Sequence, residues 1–351
     1  MYRTAKSAPY PPCTVTAYRL KYQDPARMLR RVTLTNYTAG PLAVIHLNQY
    51  LMRKLILLQI CLTLLSSFTQ EQQVNSFTTK DGETLYFRTV GKGPKVILLS
   101  GGPGFGADGM KPLADSLSRD FECILFHQRG TGLSSNVKLD SSTINLERAV
   151  QDLDDLRKNL GQEKLKICGH SWGGMLAQAY ASTFPNNTEK IVLINPGGPD
   201  MSLWPVFFND NIPMRRYPAE RDSLKYWNNQ PDSEISLFKR ALFFLLPYFY
   251  DHEIGLREAP QLINSSPFNE RMNNLMLKDL SLNYNLNSRL NNYKNHCIII
   301  RSRQDIVPAE AIYQIKELLP QTEIITIERS GHFPHLEQPD EFYKILRKVL
   351  Q

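Results

Sequence analysis

Gly169-His170-Ser171-Trp172-Gly173 restricts the fold of this chain more than any other segment. The apolar run Leu165 to Cys168 before it reads as a buried strand, and Met175 to Tyr180 after it reads as a helix. Glycine, any residue, serine, any residue, glycine between strand and helix predicts a very tight turn. A side chain at either flanking glycine would collide with the neighbouring elements. The serine hydroxyl is left at the tip, beside the positive end of the helix. A free serine is a weak nucleophile, so the turn acquires chemical meaning only with a base and an orienting carboxylate.

Both candidates lie downstream. Asp305 follows the apolar run Cys297 to Ile300 and precedes Pro308, which places it in a loop just past a strand end. His332, in Ser330-Gly331-His332-Phe333-Pro334, follows the strand-like Glu323 to Ile327. Taken singly, Asp305 reads equally as a turn or helix-capping residue, and His332 as an ordinary hydrogen-bonded histidine. Taken together, loops at the carboxyl ends of parallel strands share one sheet edge, where three distant residues can converge. An earlier strand, Val96 to Leu99, runs into Ser100-Gly101-Gly102-Pro103-Gly104-Phe105-Gly106. Glycines there let backbone approach a substrate carbonyl. The N–H groups of Gly102 and Trp172 are the expected pair of donors to a developing oxyanion. The loop has neither the Lys-Ser/Thr of a phosphate loop nor the spacing of a dinucleotide-binding turn.

With Gly101-Gly102-Pro103-Gly104, His127-Gln128-Arg129-Gly130-Thr131-Gly132-Leu133-Ser134 and Gly169 to Gly174, the chain resembles the proline iminopeptidase-like group of α/β-hydrolases. The resemblance spans about residues 75 to 200 and 290 to 350. It implies a serine hydrolase with a helical cap. It also implies Ser171 as nucleophile, Asp305 as acid, His332 as base, and Gly102 and Trp172 as oxyanion donors. The chain departs from the group's pattern at Ser100, usually His, and at His127, usually Asp. It also lacks the glutamate of a Trp-x-x-Trp-Glu segment; the comparable stretch is Leu224 to Gln230, around Trp227.

Thr84 to Val90, Glu122 to Phe126 and Ile191 to Ile194 read as further strands. Ile144 to Leu160 carries a helical apolar stripe ended by Gly161, and Tyr313 to Leu319 and Glu341 to Leu350 read as helices. This alternation predicts an α/β fold, with a mostly parallel central sheet flanked by helices and a core formed by residues 70–199 and 291–351. Residues 200–290 are dense in aromatics and broken by prolines, which predicts several short helices forming an inserted cap. Glu220 and Glu234 are the acidic candidates for holding a substrate amine, beside Asp251, Glu253 and Glu258. Trp227 and Tyr248 are candidates for the apolar wall of a cleft.

Met52-Arg53-Lys54, the apolar Leu55 to Leu65 and the small polar Ser66 to Gln70 form a secretory signal pattern. The expectation is a signal peptide over 52–69, translation from Met52, and an upstream stretch, 1–51, assigned to the chain in error. The alternative is a genuine extension followed by a membrane anchor. The net charge of +7 then loses its meaning as a clue. Of 41 basic residues, seven precede Met52 against the single acid Asp24, and two more are Arg53 and Lys54, which leaves 32 basic against 33 acidic. That balance gives no reason to expect nucleic acid as a partner, nor a stable membrane partner once the signal is cleaved. Cys123, Cys168 and Cys297 fall in or beside predicted strands and read as buried free thiols without metal-ligand spacing.

The leading expectation is an exported, proline iminopeptidase-like serine aminopeptidase acting on a small-molecule or short-peptide substrate, with no metal or organic cofactor. A carboxylesterase or lactonase on the same fold is the alternative, and a non-catalytic binding protein a third.

Overall fold

A computed structural model of the chain describes Lys54 and residues 73–351. The expected upstream stretch 1–51 and, Lys54 apart, the expected signal peptide 52–69 lie outside the described residues. In chain order the elements are β1 Gln73–Thr78, β2 Thr84–Val90, β3 Lys95–Leu99, α1 Lys111–Leu117, β4 Glu122–His127, α2 Leu146–Asn159, β5 Leu165–His170, α3 Trp172–Thr183 and β6 Thr188–Ile194. An insertion follows, with α4 Ile212–Arg215, α5 Pro218–Asn228, α6 Glu234–Leu245, α7 His252–Ser265 and α8 Glu270–Asn283. The chain then returns through β7 His296–Ser302, α9 Ala309–Leu318, β8 Glu323–Ile327, α10 Pro334–Glu337 and α11 Pro339–Leu350.

The eight strands form one sheet in the order β1-β2-β4-β3-β5-β6-β7-β8. β2 is antiparallel to both neighbours, and every pairing from β4 onward is parallel. The central strands are buried on both faces, so they read as unbroken apolar runs rather than alternating ones. The period of two survives in which layer each side chain joins. Ile97, Ile124, Ile167, Ile191 and Ile299 enter one apolar cluster with α2 and α3. Their neighbours Leu98, Leu125, Cys168, Val192 and Ile298 enter the other, with α1 and α11. Each such buried aliphatic contributes about 1.5–3 kcal/mol relative to exposure.

The expected strands and helices of the core are present, with shifted ends. β5 continues to His170, and α9 begins at Ala309, four residues before Tyr313. β1 is an addition: Phe77 is its one buried residue, so this edge strand carries no apolar signature. Between β6 and β7 the expected short helices are longer than proline spacing suggested. α6 has 12 residues and α7 and α8 have 14 each. Pro213 and Pro218 stand in first turns, where a missing N–H costs nothing, and Pro260 is carried inside α7. Leu242, Leu245, Leu246 and Phe249 of the insertion share a small core with Phe333, which belongs to the loop after β8. Cys123, Cys168 and Cys297 are buried and free, and burial pushes the Cys123 and Cys297 thiols up to about 12.

Candidate active site

Ser171 caps α3 with φ 54° and ψ −119°, a conformation that non-glycine residues rarely adopt. The turn is held from two sides. Ser171 N–H donates to the Ile194 carbonyl at 2.9 Å. A Cβ on Gly169 would lie 2.3 Å from the Gly173 carbonyl oxygen, and one on Gly173 would lie 2.3 Å from that of Leu99. Both glycines are therefore required by close backbone packing. Ser171 Oγ makes no hydrogen bond to another described residue, and it lines a cleft whose wall also includes His332.

His332 Nδ1 and Asp305 Oδ1 are 2.7 Å apart, with both side chains buried. An ionised carboxylate only accepts, so Nδ1 carries the proton and Nε2 keeps its lone pair. The histidine backbone is pinned at both ends. His332 N–H donates to the Tyr248 carbonyl at 2.6 Å. The His332 carbonyl accepts His170 Nε2–H at 2.8 Å and Asn195 Nδ2 at 3.2 Å. Burial holds the His170 imidazole well below its usual range, so it stays neutral and Nε2 is its protonated nitrogen. Asn195, itself in the left-handed region at φ 43°, also donates to the Gly331 carbonyl and accepts from Ser302 N–H at 2.7 Å. One buried amide thus joins the ends of β6 and β7 to the histidine loop. Glu337 completes the cradle, its carboxylate accepting from Gly331 N–H at 2.6 Å and Tyr250 N–H at 2.7 Å.

Gly102 takes φ +120°, and neither its N–H nor that of Trp172 has an acceptor among the described residues. The two segments are tied by a buried side-chain relay. Trp172 Nε1–H donates to Gln128 Oε1 at 2.7 Å, and Gln128 Nε2 donates to the Ser100 carbonyl at 3.1 Å. Ser100 Oγ closes the loop on the Phe105 carbonyl at 2.9 Å. His127 is buried, which lowers it to about 4 and leaves it neutral. Its Nδ1 accepts from Leu133 N–H at 3.4 Å.

The cleft has about 1280 Å³ of empty space, its open mouth included, and aromatic and aliphatic side chains dominate its wall. Of the four side chains expected to bind substrate, Tyr248 lines it and three do not. Glu220 is turned inward to the insertion, bonded to His252 Nδ1 at 2.6 Å and to Tyr217 N–H at 3.0 Å. Glu234 sits in the first turn of α6, where a carboxylate suits the helix dipole. Trp227 packs edge-on against Tyr226 near the end of α5. Asp251 caps α7. Gln128, Asn195 and Glu337 are the functional supports that sequence reasoning missed. Gln128 alone had a signal, since it lies within a recognised block. Among the described residues no group of three or more His, Cys, Asp or Glu side chains is placed to hold a metal ion.

A family model described as the alpha/beta hydrolase fold matches residues 94–339. A proline iminopeptidase of Heyndrickxia coagulans is 25% identical over 274 residues, covering 74% of this chain and 91% of the relative. A cis-3-alkyl-4-alkyloxetan-2-one decarboxylase of Shewanella oneidensis is 27% identical over 137 residues, covering 36% and 43%. Among solved structures, an alpha/beta fold family hydrolase from Bacillus anthracis superposes with a TM-score of 0.66 at 21% identity, covering 79% of this chain and 99% of that one.

Proposed function

Because this chain belongs to the alpha/beta hydrolase fold family, we propose that it hydrolyses a carboxylic ester or amide of a small substrate through a covalent acyl-Ser171 intermediate. The observation that carries the reading is the 2.7 Å bond between His332 Nδ1 and Asp305, where His332 and Ser171, at its strained turn, line the same cleft. In the first step Ser171 Oγ bonds to the acyl carbon as His332 Nε2 takes its proton. The bond to the leaving alcohol or amine breaks, and His332 returns the proton to that group. Water then adds to the acyl carbon by the same route, releasing the acid and free Ser171. Asp305 fixes the tautomer and steadies the imidazolium. Gly102 and Trp172 N–H groups receive the oxyanion in both steps.

Two finer activities have separate support. The Heyndrickxia relative, aligned over nearly its whole length, supports a proline iminopeptidase-like aminopeptidase. The apolar cleft supports a carboxylesterase or lactonase. Fluorophosphonate labelling followed by peptide mapping tests the shared mechanism: Ser171 should be the modified residue, and labelling elsewhere or nowhere overturns it. We also propose export through the segment beginning at Met52. Amino-terminal sequencing of native protein should start near Gln70, and peptides from before Met52 would refute this.

A further inference from the structure

We infer that the preferred substrate is a neutral acyl compound whose extended apolar chain leaves the cleft past Phe208, Phe244 and Phe268, rather than one with a free amino group beside the acyl carbon. The inference rests on the acyl-enzyme reading and names the acyl group that Ser171 receives.

Two independent observations support it. The first is the scarcity of carboxylates on the cleft wall. An ammonium group brought into an apolar site needs a carboxylate partner, because burying an unpaired charge is expensive. Asp305 is bonded to His332. Asp200 is the one carboxylate on the cleft wall, and it already accepts from Ser202 N–H at Oδ1 and from Asn287 Nδ2 at Oδ2, at 2.7 Å. Glu337 is saturated by the backbone N–H groups of Gly331, Tyr250 and Asp251. Glu220 is engaged by His252 and the Tyr217 N–H, and Glu234 is off the wall.

The second observation is the mouth. Phe208, Phe244 and Phe268 line the cleft yet remain 36%, 44% and 47% exposed. Each is held by an inner ring: Phe208 by Phe207 at 4.5 Å, Phe244 by Tyr248 at 5.6 Å, and Phe268 by Phe105 at 4.9 Å. Phe105 lies in the glycine loop, and the Tyr248 ring is 5.5 Å from that of His332. An apolar surface thus runs from the reacting centre to solvent. A single small residue would leave the outer rings wet, and a chain of several methylenes would cover them.

The test is a series of p-nitrophenyl esters from acetate to decanoate with the purified protein, alongside propionyl and alanyl p-nitroanilides, which differ by one ammonium group. The expected kcat/KM rises about tenfold or more from acetate to octanoate, since each methylene that leaves water adds to binding. The propionyl anilide should be cleaved in preference to the alanyl one. Phe208→Ser and Phe244→Ser should lower the octanoate-to-acetate ratio. A flat or falling series, or preference for the alanyl anilide, overturns the inference while fluorophosphonate labelling of Ser171 leaves the mechanism standing. Absence of labelling removes both.

Discussion

At the scale of single residues, the candidate site depends on side chains whose own bonds leave the reacting atoms free. Replacing Asp305 with Asn should keep the bond to His332 but favour the wrong tautomer, lowering kcat by about 10⁴ with KM little changed. Steady-state kinetics on any turned-over ester would measure it. Gln128→Leu should act differently. It removes the relay between the Trp172 indole and the Ser100 carbonyl, so both proposed oxyanion donors lose their mutual register. We expect kcat to fall on the order of tenfold or more, weaker binding of a boronic acid transition-state analogue, and an unchanged KM. Trp172→Phe keeps the backbone donor but breaks the same relay, so the double variant should lose little beyond either single one. Ser171, Asp305 and His332 were legible because each follows an apolar run with a turn after it. Asn195 and Glu337 were not, because their roles come from contacts made only on folding. Asn195 reaches partners 107 and 136 positions away, and nothing local marks it.

Between elements, a buried ion cluster carries much of the order on the β1–β2 side. Arg129 donates to Asp152 of α2 and to Asp81 in the β1–β2 turn, at 2.6–3.0 Å. Arg129→Met leaves the Asp152 carboxylate buried without its partner, which should cost about 3–5 kcal/mol, read as a lower urea midpoint. Burial raises the Asp81 carboxyl, but the Arg129 guanidinium outweighs it and holds the group at about 2, below its ordinary 3.8. The stabilisation by Asp81 is therefore complete above pH about 4 and fades as pH falls towards 2. Melting curves of wild type and Asp81→Asn should differ at pH 5 and converge near pH 2. Element type was readable wherever an apolar run was long, as in β3, β5 and β7. It was less readable from 200 to 290, where side chains of α6 and α7 face a small core, a cleft and solvent in turn, so no single period dominates.

For the whole molecule, the three apolar clusters of the described residues begin at Phe77. If export removes the segment ahead of Gln70, as proposed, protein produced from Gln70 should melt at the same temperature as the native protein and keep its specific activity. A loss of several degrees would mean that the preceding segment contributes to the fold. The mostly parallel sheet and its two-sided covering followed from alternating runs of strand and helix. How the insertion joins the core did not, because that junction is made by contacts between distant segments that exist only after folding. The Tyr248 carbonyl holds the His332 N–H, and Phe333 packs among the insertion's own leucines and Phe249. Such an insertion is no interchangeable cassette. A recombined enzyme carrying a sister protein's helices on this sheet would inherit a new cleft wall but lose a tie on His332, the proposed general base, unless the donor brought a carbonyl to the same spot.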